Sequence, residues 1–209
     1  MALRSRSGSR YPSEIPGEGL VLRPWNRQLL QQVANWGQRG FPYHAFDMGH
    51  LNDPVEARKM LRTTSEPGPH RHFVALENET AVGRVAVNLR DEAGFYIWGV
   101  HVPPEHGGRG VARRMVDALV RWLEERYPGG PGFLLSTNAF AIHAHRAYRA
   151  VGFEIAETRW HYDRQLAEQL WQVRAGQRAE IADHIRFYRG RWEVRVHIMR
   201  RPRGWQPGE

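Results

Sequence analysis

The sequence predicts one mixed α/β domain. Two observations carry this. Apolar residues alternate with period two in some stretches and recur at three to four residues in others, and the two patterns follow one another along the chain. The length, 209 residues, fits one domain of roughly 100–200 residues with a short extension. The 41% hydrophobic and 25% charged content is that of a globular chain long enough to bury a full core.

The elements run in order. Residues 1–18 are rich in Ser, Gly, Pro and Arg and read as a flexible arm. Leu20–Arg23 is a short strand stopped by Pro24. Asn26 suits the cap of a helix through about Trp36, with Leu29, Leu30 and Val33 on one face. Asp53-Pro54 starts a second helix through about Arg62. His72–Leu76 and Val82–Leu89 are strands around the polar turn Glu77-Asn78-Glu79. Phe95–Val102 is a third member of that group. A loop, Pro103–Gly108, leads into a long amphipathic helix from about Arg109 to Tyr127, which the Pro-Gly run 128–132 ends. Phe133–Ser136 is a strand, Ala141–Val151 a helix closed by Gly152, and Phe153–Tyr162 a strand. The pattern then turns helical from Asp163 to Tyr188, and a last strand, Trp192–Met199, closes a domain of seven strands. Pro202–Glu209 reads as a loose tail.

The charge balance is basic, with 30 Lys+Arg against 22 Asp+Glu and a net charge of +8. Lys59 is the only lysine. Three readings follow: a solvated Arg-rich surface, attraction of a phosphorylated ligand, and nucleic-acid binding. The arginines are spread along the chain, so nucleic acid ranks third. Cysteine is absent, which excludes disulfides, Cys-ligated metals and a cysteine nucleophile. No apolar run approaches the ~20 residues of a membrane span, and no apolar segment follows the N-terminal arginines as in a secretory leader. A cytoplasmic protein without a membrane partner is the expectation. His70 and His72 share a strand face, but no third ligand accompanies them, so no metal is expected.

The stretch that carries chemistry is Val100-His-Val-Pro-Pro-Glu-His-Gly-Gly-Arg-Gly-Val-Ala112. A strand enters a Gly-rich loop, and the loop enters a helix. Free N–H groups and the helix dipole at such a start favour an anion. Glycine lets the backbone approach it closely. Arg109, Arg113 and Arg114 add positive charge nearby. A tight strand-to-helix turn is the plain structural alternative.

These residues resemble the GCN5-related N-acetyltransferase (GNAT) superfamily. Its acetyl-CoA motif, Arg/Gln-x-x-Gly-x-Gly/Ala after Val-x-Pro, is similar to Gly107-Gly-Arg-Gly110-Val-Ala112 after Val102-Pro-Pro. Gly107 departs from the usual Arg or Gln. Asn138 followed by Ala144-His-Arg-Ala-Tyr148 and Gly152-Phe153 resembles a second family pattern. The resemblance covers residues 19–162 and returns at the last strand. It implies a twisted, mostly antiparallel sheet flanked by helices, and a domain over 19–201 with an insertion at 163–191.

The resemblance also implies the chemistry. The chain is expected to transfer an acetyl group from acetyl-CoA, by direct attack, to a primary amine of a small molecule or protein N-terminus. Val100, Val102, Gly107, Gly108, Arg109, Gly110, Val111, Ala112 and Asn138 are the expected acetyl-CoA contacts. A bulge near Val100 would offer a backbone N–H to the acetyl oxygen. Tyr148 is the expected general acid for the leaving thiolate. A half-buried core tyrosine is the alternative. For the base, His101 stands beside Glu92, Glu105, His106, His44, His197 and Glu157. The insertion is expected to cover the acceptor groove or to form a homodimer surface. Rival functions are an acyl-CoA-binding sensor or scaffold and an acetyltransferase acting on charged transfer RNA.

Overall fold

The computed structural model describes residues 12–43, 47–65 and 68–206. Residues 1–11 of the expected arm, His44 and the end of the tail lie outside them. The strands are β1 (Ile15–Gly17), β2 (Leu20–Pro24), β3 (His70–Glu77), β4 (Thr80–Asn88), β5 (Phe95–His101), β6 (Phe133–Asn138), β7 (Glu154–His161), β8 (Ile185–Tyr188) and β9 (Arg191–Arg201). The helices are α1 (Arg27–Ala34), α2 (Pro54–Ser65), α3 (Val111–Arg126), α4 (Ile142–Arg149), α5 (Arg164–Gln172) and α6 (Ala175–Ala179). The strands form one sheet of nine in the order β1-β2-β3-β4-β5-β6-β9-β7, with β8 also on β9. Every pairing is antiparallel except β5 with β6.

Polar caps start the helices where expected. The Asn26 side chain accepts the Leu29 N–H at 2.8 Å, and Asp163 accepts the Leu166 N–H at 3.0 Å. Each satisfies a donor that the first helical turn leaves free. Asp53 likewise accepts the Val55 N–H at 2.7 Å, just before α2.

Two apolar layers sandwich the sheet. On one face Met115, Leu119 and Leu123 of α3 pack on Phe73, Val85, Phe95 and Ile97. On the other, Leu29, Leu30 and Val33 of α1 pack on Val74 and Leu76. Each such side chain contributes about 1.5–3 kcal/mol.

Three expectations are corrected. The sheet has nine strands, not seven. One added strand, β1, lies inside the expected arm and pairs with β2 through Ile15↔Leu22, so the ordered domain includes residues before 19. The other is β8, inside the stretch read as helical to Tyr188. Ile185-Arg-Phe-Tyr alternates, and Arg189 (φ 48°) with Gly190 (φ 79°) makes a two-residue turn. Such a left-handed pair matches strand twist and drives a hairpin, so Ile185 faces Val194 instead of a helical neighbour. The insertion is therefore two short helices and a hairpin strand. Leu166, Leu170 and Ile181 pack on Phe140, Val194 and Val196, and Phe41 and Tyr43 of the α1–α2 loop join them.

The start of the tail is docked, not loose. Arg201 donates to the Trp205 carbonyl, and the Trp205 indole lies over Gly152. Gly152 (φ 83°) ends α4 in a Schellman turn, in which the Phe153 N–H donates to the Tyr148 carbonyl and the Gly152 N–H to that of Arg149. A Cβ on Gly152 would stand 2.3 Å from the indole. Gly152→Ala is therefore expected to lower stability by about 2–4 kcal/mol, from left-handed strain plus overpacking. Urea unfolding checks this, and Trp205→Ala in the same chain should restore the overpacking part.

Candidate active site

The site begins where the sheet splits. β5 and β6 pair only through Phe95↔Phe133, Tyr96↔Leu134 and Ile97↔Leu135. Beyond these, β5 keeps β4 and β6 keeps β9. A wedge opens between their C-terminal halves, and on one face the Tyr96 hydroxyl meets Ser136 Oγ at 2.7 Å.

A bulge marks β5 at this wedge. Arg84 faces His101 and Ala86 faces Trp98, with a register shift between. Three steps on β5 thus oppose two on β4. Gly99 takes the extra turn at φ 59°, a conformation that favours glycine. The bulge expected near Val100 is present. It also sorts the side chains. Val100 and Val102 pack against the α3-side core, whereas His101 turns to the α1 face, stacked on Trp36 with ring centroids 5.3 Å apart.

The Gly-rich loop follows. Gly108 (φ 74°) and Gly110 (φ 72°) are left-handed, and a Cβ at either would point into open space. Gly110 immediately precedes α3, so the N–H groups of Val111 and Ala112 head a 16-residue helix. Gly107 has an ordinary φ of −62°; its departure from the family pattern changes no backbone requirement. The arginines are not free charge here. Arg109 and Arg114 both bond Glu77, at 2.7 and 2.5 Å, and Arg113 bonds Glu18 at 2.7 Å. The expected surplus of charge is thus largely balanced, which leaves the backbone N–H groups as the anion-facing element.

Tyr148 on α4 belongs to the α3-side core and is 6% exposed. Burial, with a smaller contribution from Tyr96, pushes its phenol well above the usual tyrosine range. It therefore keeps its proton at neutral and alkaline pH. Asn138 ends β6, and its carbonyl bonds the His145 ring at 3.1 Å.

The α1 face holds the other wall. Cross-strand partners share a face, so His72, Ala86 and Trp98 form one row and Val74, Arg84 and His101 the next. A groove of about 330 Å³ between this face and α2 is lined by Leu51, Met60, His70, His72 and Trp98 among others. Burial, then Arg84, then Arg39, pulls His101 down to about 3. Burial, Arg84 and His70 pull His72 down to about 4.

The other base candidates scatter. Glu105 accepts the Gly37 N–H, His106 bonds Arg109, and His197 bonds Thr158 at 2.8 Å. Glu92 and Glu157 are exposed. Sequence reasoning missed Arg84, Trp36 and Trp98. The signal for Arg84 was present: one arginine amid Ala81-Val-Gly and Val85-Ala-Val.

The stretch that supplies the bulged strand, its splayed neighbour and the Gly-rich loop lies within residues 27–153, over which the chain matches the Acetyltransferase (GNAT) family. This chain belongs to that family. Solved structures agree in fold. A spermidine N-acetyltransferase from Vibrio cholerae in complex with CoA and spermine is 15% identical, with a TM-score of 0.57, over 88% of this chain and 96% of that one. RimL, a ribosomal L7/L12 alpha-N-protein acetyltransferase in complex with CoA, is 13% identical, with a TM-score of 0.57, over 90% and 97%. The ribosomal-protein-S5-alanine acetyltransferase from Vibrio fischeri is 13% identical, with a TM-score of 0.56, over 93% and 99%. No curated protein sequence matches the chain.

As a GNAT acetyltransferase the chain uses acetyl-CoA, and its site fits that co-substrate. The cradle at Gly108 and Gly110 is open, and N–H groups face it. Among the described residues, no group of three or more His, Asp or Glu is placed to hold a metal ion, and no helix is long and apolar enough to cross a membrane.

Proposed function

We propose that this GNAT acetyltransferase acetylates a primary amine, on a small molecule or a protein N-terminus, by direct attack. The observation that carries the reading is the convergence of the Gly99–Val100 bulge, the β5–β6 wedge and the buried, protonated Tyr148. Acetyl-CoA supplies the activated acetyl group. The N–H groups of residues 107–112 take its phosphates, and Val100, Val102 and Asn138 border its arm. A backbone N–H at the bulge donates to the acetyl oxygen as negative charge develops there. Tyr148 gives its proton to the departing thiolate.

His101 takes a different role from the expected one. An imidazole held near 3 is a weak acceptor of protons at neutral pH. Stacked on Trp36 and kept neutral, it forms acceptor-side wall. The amine arrives from the groove on the α1 face.

The test measures free CoA released from acetyl-CoA with a panel of primary amines and peptide N-termini. Turnover with an amine, beyond background hydrolysis, is expected. Tight acetyl-CoA binding without turnover of any amine would favour the sensor reading.

A further inference from the structure

We infer that the acceptor amine carries a carboxylate close to the reacting nitrogen, and that Arg84 binds it. The inference rests on the acetyl-transfer reading above.

Arg84 sits in β4 directly opposite the bulged segment of β5. Its Nη1 lies 3.3 Å from where a Cβ on Gly99 would stand. The guanidinium is therefore beside the residue that shapes the acetyl-facing bulge. Its Nε is fully buried and has no hydrogen-bond partner among the described residues, and no ion pair there includes Arg84. Burial pulls the group down to about 10, so it remains a cation at neutral pH. The side chain as a whole is partly exposed, so the guanidinium is reachable, while a buried Nε without a partner costs folding energy. Such a cost is usual at sites kept for function.

Among the described residues, the carboxylates of this wall are engaged elsewhere. Glu56 is bonded to Lys59, Asp47 accepts the Arg39 N–H, and Glu105 accepts the Gly37 N–H. A second guanidinium, Arg39, reaches the Val102 carbonyl, and both arginines act on His101. The acceptor wall thus carries two guanidiniums flanking a neutral imidazole. Several ammonium groups, as in a polyamine, would be repelled there. A planar carboxylate matches a guanidinium fork. Because Arg84 adjoins the bulge, the carboxylate must lie within a few atoms of the attacked nitrogen, as in an α-amino acid or a close analogue.

The experiment compares α-amino acids, their amides and a polyamine by CoA release. Wild type should favour the carboxylate over the matched amide by on the order of 100-fold in kcat/KM. Arg84→Gln should erase that preference, mainly through KM, by lowering kcat/KM for the acid far more than for the amide. Arg84→Lys should restore part of it. Arg84→Met should raise the thermal midpoint, because a buried donor without a partner is removed; a purely structural arginine would lower it.

Equal activity on acid and amide, preference for the polyamine, or an equal loss on both substrates in Arg84→Gln would overturn the inference while acetyl transfer stands. If acetyl-CoA binds and no amine turns over, the acetyl-transfer reading fails instead. Calorimetry with N-acetylated amino acids then judges Arg84: binding that Arg84→Gln abolishes supports the carboxylate site, and binding that ignores the substitution overturns it.

Discussion

Tyr148→Phe is expected to lower kcat by about 100- to 10,000-fold, the range for loss of a positioned general acid. Acetyl-CoA affinity should stay within a few-fold, because the ring keeps its place in the core. The phenol is buried, and burial holds its proton on. It meets the two requirements of a donor to a thiolate: it is protonated at working pH and shielded from competing water. The substitution removes one oxygen from a packed ring and leaves no larger cavity, so the chain should fold as before. Rapid-quench measurement of the transfer step, with circular dichroism as the folding control, checks the expectation. A kcat within twofold of wild type would return Tyr148 to a packing role.

Acid should destabilise the fold well above the carboxylate range. His101 and His72 are held near 3 and 4, below the imidazole value of 6.5. The described groups that act on them are cationic or neutral: Arg84 and Arg39 for His101, and Arg84 and His70 for His72. The folded state thus keeps both rings unprotonated. Below about 6.5 the unfolded chain takes up these protons and the folded chain does not. Stability therefore rises with pH through this window, is complete above it, and falls as pH drops toward 3–4. At about 1.4 kcal/mol per tenfold, the two rings together amount to several kcal/mol, a large part of a typical domain's stability. Glu18 and Glu77, held low first by their bonds to Arg113 and Arg114, lose their contribution only below about 4.5, so between about 6.5 and 4.5 the histidines act without them. Urea midpoints at pH 7.5, 6.0 and 5.0 measure the effect. His101→Phe, which keeps the ring on Trp36, should flatten the slope; an unchanged slope would place His101 in contact with water.

Much of the fold was legible from local signals. Asn26, Asp53-Pro54 and the Pro-Gly run after Tyr127 are punctuation that acts within a few residues, and the elements beside them appear as expected. The Gly-rich loop was legible because strand, glycines and helix follow one another directly in the sequence. What stayed hidden depends on pairing across the chain. β1 is three residues long and exists only against β2. β8 needed its turn at Arg189-Gly190 to outweigh an apolar spacing that also suits a helix. The balance of Arg109, Arg113 and Arg114 by Glu77 and Glu18 joins residues far apart in sequence. The same is true of the outer sheet, where Arg186 and Arg195 lie over Trp160, and Arg191 over Tyr162. Arginines scattered in the sequence are gathered there by β7, β8 and β9.

The place of β9 has a consequence for how the protein is made. Its eleven residues run between β6 and β7, with β8 also bonded to it. Until residues 191–201 leave the ribosome, β6 and β7 each present an open edge of unpaired N–H and C=O groups. The β5–β6 wedge is half built from β6, so that wall is fully paired only once β9 has joined it. Pairings that span so much sequence close slowly. For the time needed to translate the insertion, the nascent chain is exposed to strand addition by neighbours. The insertion therefore sets, by its length, the duration of the chain's most aggregation-prone stage.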